Sequence, residues 1–218
     1  MNLATHSAPP PTSIDTTQVP RLLILGSSSR YRRDLLQRLQ IPFSVVAPDV
    51  DETPLPEEAP SRLAERLALS KAHVIASDFP HAVVIGSDQV ADLNGLALGK
   101  PGTHERAVSQ LRQMRGQTVV FQTAVAVVCL DSGFEQTSLA AVNVTFRDLT
   151  DNEIENYLRA EQPYDCAGSA KSEGLGIALL SAIDSDDPTA LIGLPLIRTC
   201  TMLQAAGISL LSNKGAAA

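Results

Sequence analysis

The sequence predicts an α/β protein: a mixed, partly antiparallel sheet flanked by helices. Three observations predict it. Stretches such as "LILGSSSRYRRDLLQRL" pass from an apolar run through a turn into helical periodicity, the pattern of a strand–helix unit. Two long strand-like runs, Val119 to Leu130 and Leu139 to Phe146, flank "DSGFE" and read as an antiparallel hairpin. Further helical segments follow at Ser61, at Thr103 and at Thr150, so strand–helix units are mixed with hairpins.

In order, Leu22 to Leu25 is a buried strand, and Gly26 with three serines forms a turn. Ser29 then caps a helix with Leu35, Leu36 and Leu39 on one face. Ile41 to Ala47 is a second strand, ended by Pro48, and "DVDETPLPEEAPS" is an acidic, proline-rich connection. Ser61 starts a helix with Leu63, Leu67, Ala68 and Val74 on one face and Lys71 at its end. Val83 to Ile85 is a buried strand with Gly86, Ser87 and Asp88 at its carboxyl end. An acidic turn, a hairpin around Asn94–Gly95 and "GKP" follow. Thr103 caps a helix carrying Ala107, Leu111 and Met114, and Thr150 with Glu153 makes a capping box for Asp151 to Ala160. "PYDCAGSAKSEGLG" is a glycine-bearing loop. The last helix starts near Leu194, with Pro195 in its first turn, and stops at Gly207.

Composition limits the function. The chain has 218 residues, 44% hydrophobic and 19% charged, with a net charge of −7. That balance argues against nucleic acid or an anionic membrane as partner, and any phosphate site must be a local basic pocket. The three cysteines, Cys129, Cys166 and Cys200, form no metal-binding spacing and suit a reducing cytoplasm. No apolar run is long enough to span a bilayer. Residues 1–20 lack the basic start and apolar core of a secretory signal and are expected to be a disordered extension. Residues 21–211 are expected to form one domain, and 212–218 a frayed tail.

The helix at Ser29 poses a problem. Arg30, Arg32 and Arg33 occupy its first turn, the wrong end of the macrodipole for cations, at ~0.3–1 kcal/mol each. An anionic ligand there reverses the sign, because free N–H groups, serine hydroxyls and arginine forks together make an anion site. Arginines pointing to water read equally well. Asp49, Asp51 and Glu52 can hold Mg²⁺ with substrate phosphate oxygens, or form a solvated acidic loop. Asp88 is a candidate metal ligand or general base, or a turn aspartate. Lys100 is fixed between Gly99 and Pro101, whereas Lys71 also suits a helix end. The small residues of "AGSAKSEGLG" admit a flat ligand beside Glu173, or make a surface loop. Together these groups are what a nucleoside triphosphate requires.

The sequence resembles the Maf-like nucleotide pyrophosphatases, and within them the branch assigned to 7-methyl-GTP, over nearly all of Leu22 to Leu211. The resemblance is carried by "SSSRYRRDLL", "DVDETP", the lysine of "LALSKAH", "IGSDQV", "GKP", "CAGSAKSEG" and "IGLPL", all in family order. It implies a two-lobed mixed α/β fold with the active cleft between the lobes, usually as a homodimer. It also implies hydrolysis of a nucleoside triphosphate to the monophosphate and pyrophosphate, with Mg²⁺, Mn²⁺ or Co²⁺. Matched residue by residue, Asp88 takes the catalytic position and, with Glu52, the metal contact. Ser27, Ser29, Arg32, Arg33, Lys71 and Lys100 take phosphate-binding positions. Two departures stand out: Arg30 where many members have proline, and Ala124 where a strand glycine is common.

Tyr31, Gln89 and Glu173 match the positions that separate branches; the dTTP/UTP branch carries arginine, threonine and glutamine there. Methylation at N7 makes guanine cationic, and an aromatic face attracts such a ring by ~0.5–2 kcal/mol. A carboxylate can accept both guanine N1–H and N2–H, and a bidentate pair of this kind discriminates by ~1–3 kcal/mol. Two rivals remain: a non-catalytic nucleotide sensor acting on cell division, and a nucleotidyltransferase, which would need a second substrate.

Overall fold

The computed structural model describes residues 21–211; the expected extension 1–20 and tail 212–218 lie outside the described residues. The elements are β1 (Leu23–Gly26), α1 (Arg30–Gln37), β2 (Ser44–Val46), α2 (Pro60–Asp78), β3 (Val83–Leu93), β4 (Leu96–Leu98), α3 (His104–Met114), β5 (Thr118–Cys129), β6 (Phe134–Phe146), α4 (Asp151–Glu161), β7 (Leu180–Asp184) and α5 (Leu196–Ala205). The sheet runs β2-β1-β3-β5-β6-β7, with β4 paired to β3. β1 is parallel to both of its neighbours, and every pairing from β3 onward is antiparallel. The expected mixed α/β architecture is the observed one.

Local chemistry explains the caps and turns. Ser29, extended at φ −74° and ψ 120°, accepts from Arg32 N, so the turn forms with Arg30 in the place of proline. Asn94 and Gly95 both have positive φ, 54° and 87°, as a two-residue hairpin between Leu93 and Leu96 requires. Thr150 and Glu153 form the expected capping box.

Several boundaries differ from expectation. β2 is shorter than Ile41 to Ala47, and β6 begins five residues before Leu139, at Phe134 followed by four polar residues. Pro195 is the N-cap of α5 rather than part of its first turn. α2 opens with proline at its first position and runs to Asp78, which puts Lys71 in its interior, not at its end. β3 continues as one strand through Asp88 to Leu93, with no acidic turn. Register with β5 sets Ser87, Asp88 and Gln89 opposite Val125, Ala124 and Thr123. Cross-strand pairing with the long β5 overrides the loss of apolar pattern after Ile85.

Packing makes two lobes. In the first, Leu35 and Leu36 of α1 and Met202 and Leu203 of α5 cover Leu25, Ile85 and Val127 on one face. On the other face α2 lays Ala64, Ala68, Ala72 and Ala76, spaced by four, against Ile24, Val84 and Ala126. In the second lobe, α3 and α4 pack Leu111, Met114, Ile154 and Leu158 against Phe121, Val142 and Phe146, on the distal halves of β5 and β6. Gly86 sets the fit of α2 on the sheet. A Cβ there would stand 2.1 Å from Ala68 O and 2.6 Å from Ala72 N, so only glycine lets the helix approach this closely. The same approach brings Lys71 onto Asp88.

Candidate active site

β1 ends opposite Gly86, and β4 pairs with β3 only from Ala91. Residues 87–90 of β3 therefore have β5 on one side and, among the described residues, no strand on the other. A cleft of about 700 Å³ opens on this bare edge, within the range of small-molecule sites. The serine turn and α1 line one wall, the acidic loop and α2 a second, and the loops around Lys100, Cys166 and Gly193 the rest.

One end collects groups for anions. Ser27 is buried, and its Oγ accepts from Ser29 N at 3.1 Å and from Arg32 Nη1 at 3.5 Å. Arg32 Nε donates to Gly193 O at 2.8 Å. Ser87 Oγ lies within hydrogen-bond distance of that same carbonyl at 3.0 Å and of Ala124 O at 2.8 Å. One backbone oxygen thus ties the first helix, the central strand and the last loop together around the arginine. Burial pulls the Arg32 pKa down, opposed by Asp88 and Glu52. Lys100 also faces the cleft.

Lys71 is 5% exposed and Asp88 8%. The Lys71 ammonium bridges Glu52 Oε1 at 2.5 Å and Asp88 Oδ1 at 2.6 Å. Burial works to raise the Glu52 pKa, but the hydrogen bond and charge of Lys71, with Lys100 and Arg32, hold it below the usual carboxylate value. Of the other acids nearby, Asp51 accepts from Thr53 N at 2.9 Å and Asp49 is exposed. Glu58 braces this loop: it accepts from Arg66 Nε at 2.6 Å and from Leu55 N at 3.0 Å, and these bonds lower its pKa to about 2.

Among the described residues, no three His, Cys, Asp or Glu side chains converge as a ready-made metal cage. Glu52 and Asp88 nevertheless converge on one cation, the Lys71 ammonium. Two carboxylates completed by substrate phosphate oxygens are a donor set that suits Mg²⁺, so the residues present fit a divalent ion.

The other end suits a planar group. Arg30 Cζ lies over the Tyr31 ring, 4.7 Å from its centroid, and Arg30 Nη2 donates to Tyr31 Oη at 2.8 Å. Cys166 Sγ lies 3.9 Å from the same hydroxyl. Burial, with Asp165 beside it, pushes the Cys166 thiol up to about 12. Glu173 lines the cleft from an exposed position on its loop. Gln89 Nε2 reaches Thr123 Oγ1, Ala190 O and Leu191 O at 2.9–3.0 Å. Three acceptors fix its amide orientation and leave Oε1, an acceptor, as the end not held by them.

The cleft therefore gathers Ser27, Ser29, Tyr31, Arg32, Glu52, Lys71, Asp88, Gln89, Lys100 and Glu173. It does not gather Arg33, whose side chain is 51% exposed and faces Asp34 at 3.7 Å. A helix turns its side chains by about 100° per residue, so Arg33 points away where Arg32 points in. Sequence reasoning missed Gly193, whose carbonyl role has no side-chain signal.

Comparison with known proteins agrees in extent with this architecture. The family model described as Maf-like protein matches residues 22–206. A Polaromonas protein named 7-methyl-GTP pyrophosphatase is 79% identical over 199 residues, 91% of each chain. Proteins of the same name from Albidiferax ferrireducens and Burkholderia thailandensis are 68% and 59% identical. They cover 88% and 94% of this chain and 97% and 96% of their own.

Proposed function

This chain belongs to the Maf-like protein family, and from that premise we propose that it hydrolyses 7-methyl-GTP to 7-methyl-GMP and pyrophosphate. The observation that carries the proposal is one cleft lined by Arg32, Lys71, Lys100 and the Asp88 carboxylate at one end, and by Tyr31 with Glu173 at the other. The names of the relatives point the same way.

In this reading Arg32, Lys71, Lys100 and the serine hydroxyls hold the triphosphate and stabilise charge that develops on the departing pyrophosphate. Asp88 accepts a proton from the attacking water. The water oxygen bonds to the α-phosphorus, the bond from that phosphorus to the α–β bridging oxygen breaks, and pyrophosphate leaves with the electron pair. A divalent ion held by Glu52 and Asp88 would neutralise phosphate charge and polarise the reacting oxygens. The methylated base lies against Tyr31, whose ring already attracts a cation in Arg30. Glu173 accepts from the guanine N1–H and N2–H. A nucleotide sensor would need the cations and the base pocket but no buried aspartate beside the phosphates. A cytoplasmic setting belongs to the proposal, supported by three free cysteines; so does the homodimer that family resemblance implies.

The test is hydrolysis of 7-methyl-GTP, GTP, UTP and dTTP with Mg²⁺, Mn²⁺ or Co²⁺, with products identified. The expected result is pyrophosphate release with the highest kcat/KM for 7-methyl-GTP, and a loss of roughly 10²-fold or more in Asp88→Asn. Release of orthophosphate, or a preference for UTP, would refute it.

A further inference from the structure

The turn that presents Glu173 rests on a second carboxylate outside the cleft. Gly174 N donates to Lys171 O at 3.1 Å, closing a four-residue turn with Ser172 and Glu173 at its centre. Glu161, the last residue of α4, holds the first residue of that turn and the residue just after it. It forms an ion pair with the Lys171 ammonium through Oε1 and accepts from Leu175 N at 2.8 Å through Oε2. Its side chain is 15% exposed. The turn is shaped around it: a Cβ on Gly174 would stand 2.7 Å from Glu161 Oε2, and one on Gly176 would stand 2.4 Å from Lys171 O. One helical turn earlier, the Tyr157 hydroxyl donates to Ser169 O at 3.2 Å and accepts from Lys171 N at 3.1 Å. The inner face of α4 thus grips the loop on both sides of Glu173.

The ion pair has a second effect. Lys171 lies within electrostatic reach of Glu173 as well as of Glu161. Its ammonium is paired with Glu161 rather than with Glu173 among the ion pairs of the described residues.

We propose that Glu161 is a positioning residue for base selection: it braces the Lys171–Gly174 turn and engages Lys171, so that Glu173 is held at the base end of the cleft. This rests on the reading of Glu173 as the base-reading group. Glu161 touches neither base nor phosphate; it acts through Glu173.

The test is a double-mutant cycle read as the ratio of kcat/KM for 7-methyl-GTP to that for UTP. Glu161→Gln keeps an acceptor for Leu175 N but releases Lys171, and Glu161→Ala removes both. In Glu161→Gln the ratio is expected to fall roughly 5- to 10-fold, with kcat/KM for UTP within about 2-fold of the parent, since a loosened group misplaces one contact only. In a Glu173→Gln background the same change is expected to move the ratio by less than about 2-fold. Thermal melting of each variant confirms that it is folded; if Glu161→Ala is not, Glu161→Gln carries the test. An unchanged ratio in Glu161→Gln, an equal fall for every nucleotide, or an undiminished effect in the Glu173→Gln background each overturns the proposal. If Glu173→Gln shifts the ratio and Glu161→Gln does not, this inference alone fails. If Glu173→Gln leaves the ratio unchanged, the base reading fails and this inference with it.

Discussion

Lys71 is the buried cation on which the site is assembled, and replacing it with methionine isolates its role. Methionine matches the aliphatic stem but carries no charge. Asp88, its side chain 11% exposed, would lose its cation, and Glu52, 56% exposed, would face it across the gap. Removing one partner of a buried ion pair costs about 3–5 kcal/mol, because the other charge is left uncompensated. Glu52 is well hydrated, so water offsets part of that cost, and a destabilisation of about 2–4 kcal/mol is expected. For a chain of this length each kcal/mol lowers Tm by about 2–4 °C, so a fall of roughly 5–15 °C should be read in a melting experiment. Two further measurements give this result its meaning. Adding Asp88→Asn to Lys71→Met should recover part of the lost stability, since it removes the stranded charge. Millimolar Mg²⁺ or Mn²⁺ should raise the Tm of Lys71→Met more than that of the parent, because the two carboxylates are then free to take a metal. A Lys71→Met protein as stable as the parent, with Tm indifferent to both ions, would refute the reasoning.

Arg32→Ala should lower kcat/KM for every nucleotide by roughly 10- to 100-fold, as loss of a charge-assisted phosphate contact does, whereas Arg33→Ala should stay within about 2-fold; steady-state kinetics of the two variants side by side decides it. Gly86→Ala should destabilise by about 1–3 kcal/mol or prevent folding, since its methyl would overlap Ala68 O, and denaturant unfolding measures this. The Glu58–Arg66 brace should follow pH in a definite direction. The folded pKa of Glu58 is depressed to about 2 from 4.5, so its stabilisation is complete above about pH 4.5 and is lost as pH falls towards 2. The Tm difference between the parent and Glu58→Gln should therefore shrink across that window, and a difference constant from pH 6 to pH 2.5 would exclude the assignment.

What could be seen in the sequence, and what could not, follows from the range of the forces involved. Caps and tight turns depend on neighbours along the chain, so Ser29, Asn94–Gly95 and the Thr150–Glu153 box were legible. The arginines of α1 were legible as an anomaly, because cations at a helix N-terminus oppose the local dipole. Asp88 was legible as a candidate but not in its setting. Its place in mid-strand comes from pairing with Ala124, 36 residues away, and its partner Lys71 is reached only because Gly86 lets α2 approach. Arg33, matched to a phosphate position by resemblance, lies outside the cleft lining, and the helical angle separates it from Arg32. The residues at the site also share a physical trait. Arginines stand at a helix start, an acid at a helix end, a lysine on a buried helix face, and polar groups inside a strand. Each choice opposes local stability; Arg32 is compensated by the carbonyl of Gly193, far off in sequence, and Glu161, just outside the cleft, by Lys171 ten residues on. Such violations collect where function constrains the chain more strongly than folding does. Glu161 breaks a local rule as plainly as the arginines do, and that makes its substitution a test of whether the trait marks function beyond the cleft wall.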